Sequence, residues 1–276
     1  CRNEVSTGPA GLNRAAMASA DPAHYLDFAE TLASAAGTAI RPHFRQPIAV
    51  DAKADRSPVT VADRESELAM RRLIEARYPD HGIIGEEFGR IREGAELVWV
   101  LDPIDGTKSF ISGVPLFGTL IALLHRGRPI LGLIDQPVSG ERWIGAAGRP
   151  TLLNGNRIRA RACAAPAAAT LFCSSPTMFK PAEAPRFQRL HDAVRLVRWS
   201  ADCYAYGLLA TGFVDLVVEA AMKPYDYAAL IPVVEGAGGL ITDWAGKPLT
   251  LESDGTVLAA GDAGLHAAAL ALLKGA

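Results

Sequence analysis

The residues with the clearest chemical content lie in Trp99-Val100-Leu101-Asp102-Pro103-Ile104-Asp105-Gly106-Thr107. An apolar strand runs into two aspartates spaced three apart, followed at once by Gly-Thr and the start of a helix. A strand end holds carboxylates stiffly, and Pro103 bends the chain so that both can converge. Oxygen ligands of this kind suit Mg²⁺, which takes one or two carboxylates together with waters and phosphate oxygens. The amides of Gly106 and Thr107 would face the same point, where a helix N-terminus favours an anion. A single aspartate here would read as a helix cap; the pair with Gly-Thr reads as a site. Two further acidic features add weight. Ile83-Ile84-Gly85 delivers the adjacent carboxylates Glu86 and Glu87, and Pro224-Tyr225-Asp226-Tyr227 opens a helical stretch ending in Glu235-Gly236-Ala237-Gly238-Gly239. Alone, a Glu pair is usually a solvated face, and Asp226 alone would be a helix cap.

Other hydrolytic chemistries lack their residues. A phosphoaspartyl mechanism needs its two aspartates two residues apart, and here the gap is three. There is no Gly-x-Ser-x-Gly elbow, no Gly-x-x-x-x-Gly-Lys loop and no His-Glu-x-x-His pair in the sequence. The six histidines are dispersed, and Cys1, Cys163, Cys173 and Cys203 have neither metal-ligand nor redox spacing, which reads as structural free thiols in a reducing compartment. A carboxylate-bound site with more than one metal ion is what remains.

The elements that must hold these groups are legible from periodicity. Helical spacing of apolar residues covers Tyr25 to Phe44 and Asp63 to Tyr78. Strand-like runs follow at Leu97–Leu101, Thr119–Leu124, Ile130–Ile134 and Trp143–Ala146, with turns at Gly127-Arg128-Pro129 and Val138-Ser139-Gly140. The second half alternates strands (Thr170–Ser174, Val194–Arg198, Leu216–Glu219, Leu240–Thr242, Val257–Ala260) with helices (Tyr204–Thr211, Tyr227–Ala237), and a last helix spans Gly264 to Leu273. This order predicts a mixed α/β layered protein. A composition shift around Asn154-Gly155 divides it into an N-terminal lobe, residues 21–155, with most acidic motifs, and a C-terminal lobe, residues 156–276, with Asp226. Residues 1–20 are expected to be a disordered leader or an artificial remnant, Met17 being a natural start.

With 28 Lys plus Arg against 30 Asp plus Glu, the net charge of -2 gives no electrostatic basis for nucleic-acid binding. The longest apolar runs fall far short of the ~20 residues that span a bilayer. A soluble chain is expected.

Taken together the motifs resemble those of the inositol monophosphatase family, Mg²⁺-dependent and Li⁺-sensitive phosphatases. Four match in order from about Tyr25 onward: Lys53-x-Asp55-x-Ser57-Pro58-Val59-Thr60-x-Ala62-Asp63, Gly85-Glu86-Glu87, Asp102-Pro103-Ile104-Asp105-Gly106-Thr107, and Tyr225-Asp226-Tyr227 leading to Glu235-Gly236-Ala237-Gly238-Gly239. The resemblance implies an αβαβα sandwich and two to three Mg²⁺ ions. In it Glu86, Asp102 and the Ile104 carbonyl would hold one ion, and Asp102, Asp105 and Asp226 a second. A weaker third would lean on Glu86. Thr107 would help Glu86 prepare the attacking water, the Gly106 and Thr107 amides would grip phosphate, and Asp63 would support the catalytic group. Lys53 matches a mobile loop.

Within the family, Arg198 to Ala210 resembles the histidinol-phosphatase branch, which would place the chain in histidine biosynthesis. Asp202, where inositol phosphatases carry a small residue, and Glu219 would complement the ammonium and imidazole of L-histidinol phosphate. Asp202 could equally cap the helix from Cys203, and Arg198 could meet phosphate across a subunit interface or stand exposed. Ser200-Ala201 depart from the glycines usual in that branch. The resemblance further implies a cytoplasmic homodimer. Alternative substrates are inositol 1-phosphate and 3'-phosphoadenosine 5'-phosphate, and a non-enzymatic alternative is a regulatory partner of transcription or RNA machinery.

Overall fold

The computed structural model describes residues 21–52 and 58–275; the expected leader, Lys53, Asp55, Ser57 and Cys1 lie outside them. Helix α1 (Leu26–Ile40) ends in a short 3₁₀ turn, which is why the helical periodicity runs on to Phe44. Strands β1 (Val50–Ala52) and β2 (Pro58–Thr60) pair as a ribbon leading into helix α2 (Val61–Arg77). Next come β3 (Gly82–Gly85), β4 (Gly89–Ile91), β5 (Leu97–Asp105), the short helix α3 (Thr107–Ile111), β6 (Gly118–His125), β7 (Arg128–Gln136), β8 (Glu141–Ala146), β9 (Leu152–Leu153) and β10 (Asn156–Arg157). β3 to β10 form one eight-stranded sheet in the order β10-β9-β8-β7-β6-β5-β3-β4, antiparallel except where β3 runs parallel to β5.

The remaining elements are β11 (Thr170–Cys173), α4 (Ala184–Ala193), β12 (Leu196–Trp199), α5 (Asp202–Ala210), β13 (Leu216–Glu219), α6 (Pro224–Tyr227), α7 (Leu230–Gly236), β14 (Leu240–Thr242), β15 (Val257–Ala260) and α8 (Ala263–Lys274). The strands make a second, five-stranded sheet in the order β12-β11-β13-β15-β14. The stretch expected to be one helix over Tyr227–Ala237 is two, α6 and α7, with a break between them. The helix α4 was not anticipated.

Alternation along the strands builds five layers. Trp99 and Leu101 of β5, with Ile121, Leu123, Leu131 and Leu133, pack under Leu32, Ala36, Ile40, Met70 and Ile74 of α1 and α2. Val98 and Val100 point the other way, to Tyr206, Leu209, Leu230 and Val233 of α5 and α7, whose far side meets Val217, Val257 and Ala259 of the second sheet. The outer face of that sheet carries Leu216, Val218 and Leu258 against Phe187 and Leu190 of α4 and Leu265 and Ala269 of α8. The result is an αβαβα sandwich, in which period-two strands serve two helical layers at once.

One contact sets the spacing of the middle layer. A Cβ at Gly132 would lie 2.0 Å from the Ala229 carbonyl oxygen, and one at Gly145 only 2.2 Å from that of Pro232. Glycines on β7 and β8 therefore let the α6–α7 segment touch the sheet backbone itself. Gly145→Ala is expected to cost about 3 kcal/mol, the upper range for overpacking, seen as a lower urea midpoint at unchanged slope. An unaltered midpoint would refute the close packing.

Candidate active site

β5 is predicted to end at Leu101, but its ladder continues to Asp105, and the extension explains how the aspartates converge. Residues three apart on a regular strand face opposite sides. Here Asp102 opposes Leu120 and Asp105 opposes Gly118, so three steps on β5 match two on β6. The extra residue is a bulge. It accommodates Pro103, whose carbonyl accepts from the Thr119 hydroxyl at 2.8 Å, and it returns both carboxylates to one side.

Two other segments bring their acids to the same place. The Glu86 amide donates to the Leu101 carbonyl at 3.2 Å, prolonging the β3–β5 pairing by one residue and setting Glu86 beside Asp102. Asp226 lies in the first turn of α6, where its Oδ2 accepts from the Lys223 amide at 2.6 Å. Carboxylate oxygens of Asp102, Asp105 and Asp226 all lie within 4.8 Å of one another. With Glu86 they line a cleft of about 280 Å³ whose wall also includes Ile104, Gly106, Thr107 and Asp202. Larger cavities of about 380 Å³, beside Arg149 and Arg157, and 360 Å³, beside Asp135 and Arg142, hold no comparable cluster.

Burial and mutual repulsion make the three aspartates reluctant to ionise. Desolvation, then the charges of Glu86, Asp105 and Asp226, lifts Asp102 well above the usual carboxylate range. Asp105 is raised as strongly, by desolvation and then by Asp202, Asp226 and Glu219. Asp226 is pushed up to about 7, mainly by desolvation. Among the described residues, the cation in the cleft wall, Lys108, is exposed. Clustered hard oxygen donors with a deficit of positive charge fit a divalent cation, and Mg²⁺ suits such a donor set; Glu86, Asp102, the Ile104 carbonyl, Asp105 and Asp226 are the groups that would hold it.

At the far lip, Gly106 takes φ 88° and α3 begins at Thr107, whose hydroxyl donates to the Ile104 carbonyl at 3.1 Å. A side chain at Gly106 would be strained in this left-handed conformation, and its Cβ would come within 2.7 Å of Asp202 Oδ2. Asp63 is fully buried in the first turn of α2. Its Oδ2 accepts from the Thr60 amide at 2.7 Å and the Thr60 hydroxyl at 2.6 Å, closing a capping box at the start of α2.

Asp202, far away in sequence, lines the cleft at the head of α5, in the left-handed region at φ 46°. The Ser109 hydroxyl donates to it at 3.2 Å, and the next amide, Cys203, donates to Asp105 at 2.6 Å. One turn of chain thus presents a carboxylate to the cleft and a donor to a neighbouring carboxylate. Glu219 stands behind this wall, 3% exposed, accepting from the Ser174 amide and hydroxyl and from Tyr206. Burial raises its pKa, and those donors oppose the rise. Arg198 is not in the cleft wall: it lies exposed on the edge strand β12, its guanidinium 5.8 Å from the Phe172 ring centroid. Sequence reasoning missed Ser109 and Ser174, which anchor Asp202 and Glu219; Ser174 directly after β11 was the available signal.

Residues 21–275 match the sequence profile described as the inositol monophosphatase family. The chain is 52% identical over 252 residues to the bifunctional phosphatase IMPL2, chloroplastic, of Arabidopsis thaliana, covering 88% of this chain and 73% of that protein. It is 39% identical to a histidinol-phosphatase of Chlorobaculum parvum, covering 85% and 91% respectively. Among solved structures, an inositol monophosphatase from Zymomonas mobilis is 48% identical with a TM-score of 0.84, covering 91% of this chain and 98% of that one.

The raised carboxylates give a signed pH dependence. Because Asp226 holds its proton up to about 7 when folded, against 3.8 ordinarily, the metal-free folded state binds more protons than the unfolded state between those values. Its stability therefore falls as pH rises from about 4 to about 7. Cation binding must displace those protons. Calorimetric titration with Mg²⁺ at pH 6.5, in buffers of different ionisation enthalpy, should show net proton release. Equal apparent enthalpies would contradict the clustered-acid description.

Proposed function

The chain belongs to the inositol monophosphatase family of phosphatases, and on that footing we propose that it hydrolyses L-histidinol phosphate to L-histidinol and phosphate with two to three Mg²⁺ ions. Bound divalent cations would neutralise phosphate charge and lower the pKa of an attacking water. The chain's own groups do the rest. Asp102, Asp105, Asp226, Glu86 and the Ile104 carbonyl are the cation donors. The Thr107 hydroxyl, its proton committed to the Ile104 carbonyl, keeps its lone pairs for a proton of the attacking water, beside Glu86. The Gly106 and Thr107 amides receive phosphate oxygens at the cleft lip. The capping box of Asp63 fixes the start of α2.

The observation that carries the substrate assignment is the carboxylate of Asp202 in the cleft wall, beside the phosphate-binding turn. A cationic leaving alcohol gains charge-assisted hydrogen bonds there, whereas a neutral polyol brings only hydroxyls. Glu219 supports this indirectly, by adding a buried negative charge behind Ser174. The relative named histidinol-phosphatase agrees with this reading, and a cleft of about 280 Å³ agrees with a small phosphate monoester. Among the described residues no helix is long and apolar enough to cross a membrane.

Phosphate release should be compared for histidinol phosphate, inositol 1-phosphate and 3'-phosphoadenosine 5'-phosphate, with Asp226→Asn as the inactive reference. Histidinol phosphate should be preferred. Asp202→Ala should lower its kcat/KM by about 10- to 100-fold, the effect of removing one charge-assisted contact of about 1.5–3 kcal/mol, while sparing the neutral substrate. Equal losses on both would defeat the cationic pocket, and preference for either alternative would reassign the substrate.

A further inference from the structure

The turn that carries Glu86 is closed by a buried ion pair that the reaction itself does not use. Glu67 and Arg71 lie one turn apart on the inner face of α2, in line with Asp63 one turn earlier, and are 0% and 7% exposed. Arg71 Nε donates to Glu67 Oε1 at 2.7 Å. The same carboxylate receives two backbone donors from the residues just after Glu86: the Glu87 amide on Oε2 at 2.7 Å and the Phe88 amide on Oε1 at 3.2 Å. Arg71 then reaches across with Nη2 to the Gly89 carbonyl. The pair thus grips the turn at Glu87, Phe88 and Gly89, directly after Glu86.

Gly85 shows how closely it is gripped. A Cβ at that position would fall 1.9 Å from Glu67 Oε1 and 2.7 Å from Arg71 Nη2. The glycine before the Glu pair is required because a carboxylate occupies the space where its side chain would be. An ionised carboxylate is the one side-chain group here able to accept three donors at once; an amide offers a single acceptor atom and its NH₂ would face other donors. The paired guanidinium also cancels the charge of Glu67, so the clamp adds no net negative charge near the acid cluster.

We infer that Glu67, with Arg71, is a positioning residue that fixes the Glu86 carboxylate for cation binding through the Glu87 and Phe88 amides. The inference rests on the metal-dependent reading of the cleft. Groups that orient ligands in this way typically account for 10- to 100-fold in metal affinity.

The test uses Glu67→Gln, with Glu65→Gln on the exposed side of the same helix as control, in the full-length protein. Mn²⁺ is the probe, followed by calorimetry and by its electron paramagnetic resonance signal. In Glu67→Gln, amide hydrogen exchange of Glu87 and Phe88 in the metal-free protein should accelerate. Mn²⁺ affinity should fall by about 10-fold or more, with kcat largely recovered at saturating Mg²⁺, and the control should match the unsubstituted protein. A Glu67→Gln protein that loses thermal stability but binds Mn²⁺ with unchanged affinity would overturn the inference, leaving a purely structural clamp. If that variant does not fold, Arg71→Lys, which keeps the charge but not the fork, carries the same readouts: weaker Mn²⁺ binding supports the inference and unchanged binding overturns it. Failure of the unsubstituted protein to bind Mn²⁺ would instead overturn the metal-dependent reading, and this inference with it.

Discussion

Four carboxylates meet in a space where, among the described residues, one water-exposed lysine lines the same wall, and the fold is arranged around that unfavourable encounter. Left to itself, such a group would be relieved by a small rotation of any side chain toward solvent. The protein denies the rotation by taking the acids from backbone that cannot give way. Asp102 and Asp105 come from a strand buried on both faces, Glu86 from a turn hydrogen-bonded to that strand, and Asp226 from a helix start that accepts its own preceding amide. Repulsion stored in this way is available to be discharged by a cation.

The layering supplies the stiffness. A central strand with Trp99 and Leu101 on one side and Val98 and Val100 on the other is held by two independent cores. The polar end of the strand then has nowhere to move. The second sheet contributes from the opposite direction, because α5 follows its edge strand β12 and α6 its central strand β13, and they deliver Asp202 and Asp226 into the cleft. Neither sheet alone contains the site.

Much of this was readable in the sequence, and the unread part has a common physical character. The metal-type acids stood out because Asp102-Pro103-Ile104-Asp105-Gly106-Thr107 concentrates several rare requirements in six residues. The strands and helices followed from period-two and helical apolar spacing. The bend at Pro103 was expected, but its form as a bulge was not, since that is defined by the register of a partner strand and not by composition. Asp202 was found, but not its left-handed backbone, because nothing in Trp199-Ser200-Ala201 marks the turn. Ser109, Ser174, Glu67 and Arg71 were overlooked for the same reason: their roles exist only through contacts to residues distant in the chain. Arg198 was legible as a charge, while its exposed position on an edge strand depends on sheet order.

The bulge on β5 makes the site sensitive to parity. Side chains on a strand are assigned to faces by counting, and the one surplus residue between Asp102 and Asp105 is what makes an odd interval behave as an even one. Deleting a single residue there would leave every apolar position upstream correctly directed and the core intact. It would nonetheless turn Asp105, Gly106 and the head of α3 toward the opposite side. Chain length across these few residues is therefore as strict a requirement as the identity of the acids, and a homologue that had lost one residue in this interval would be a well-folded protein with a dismantled cleft.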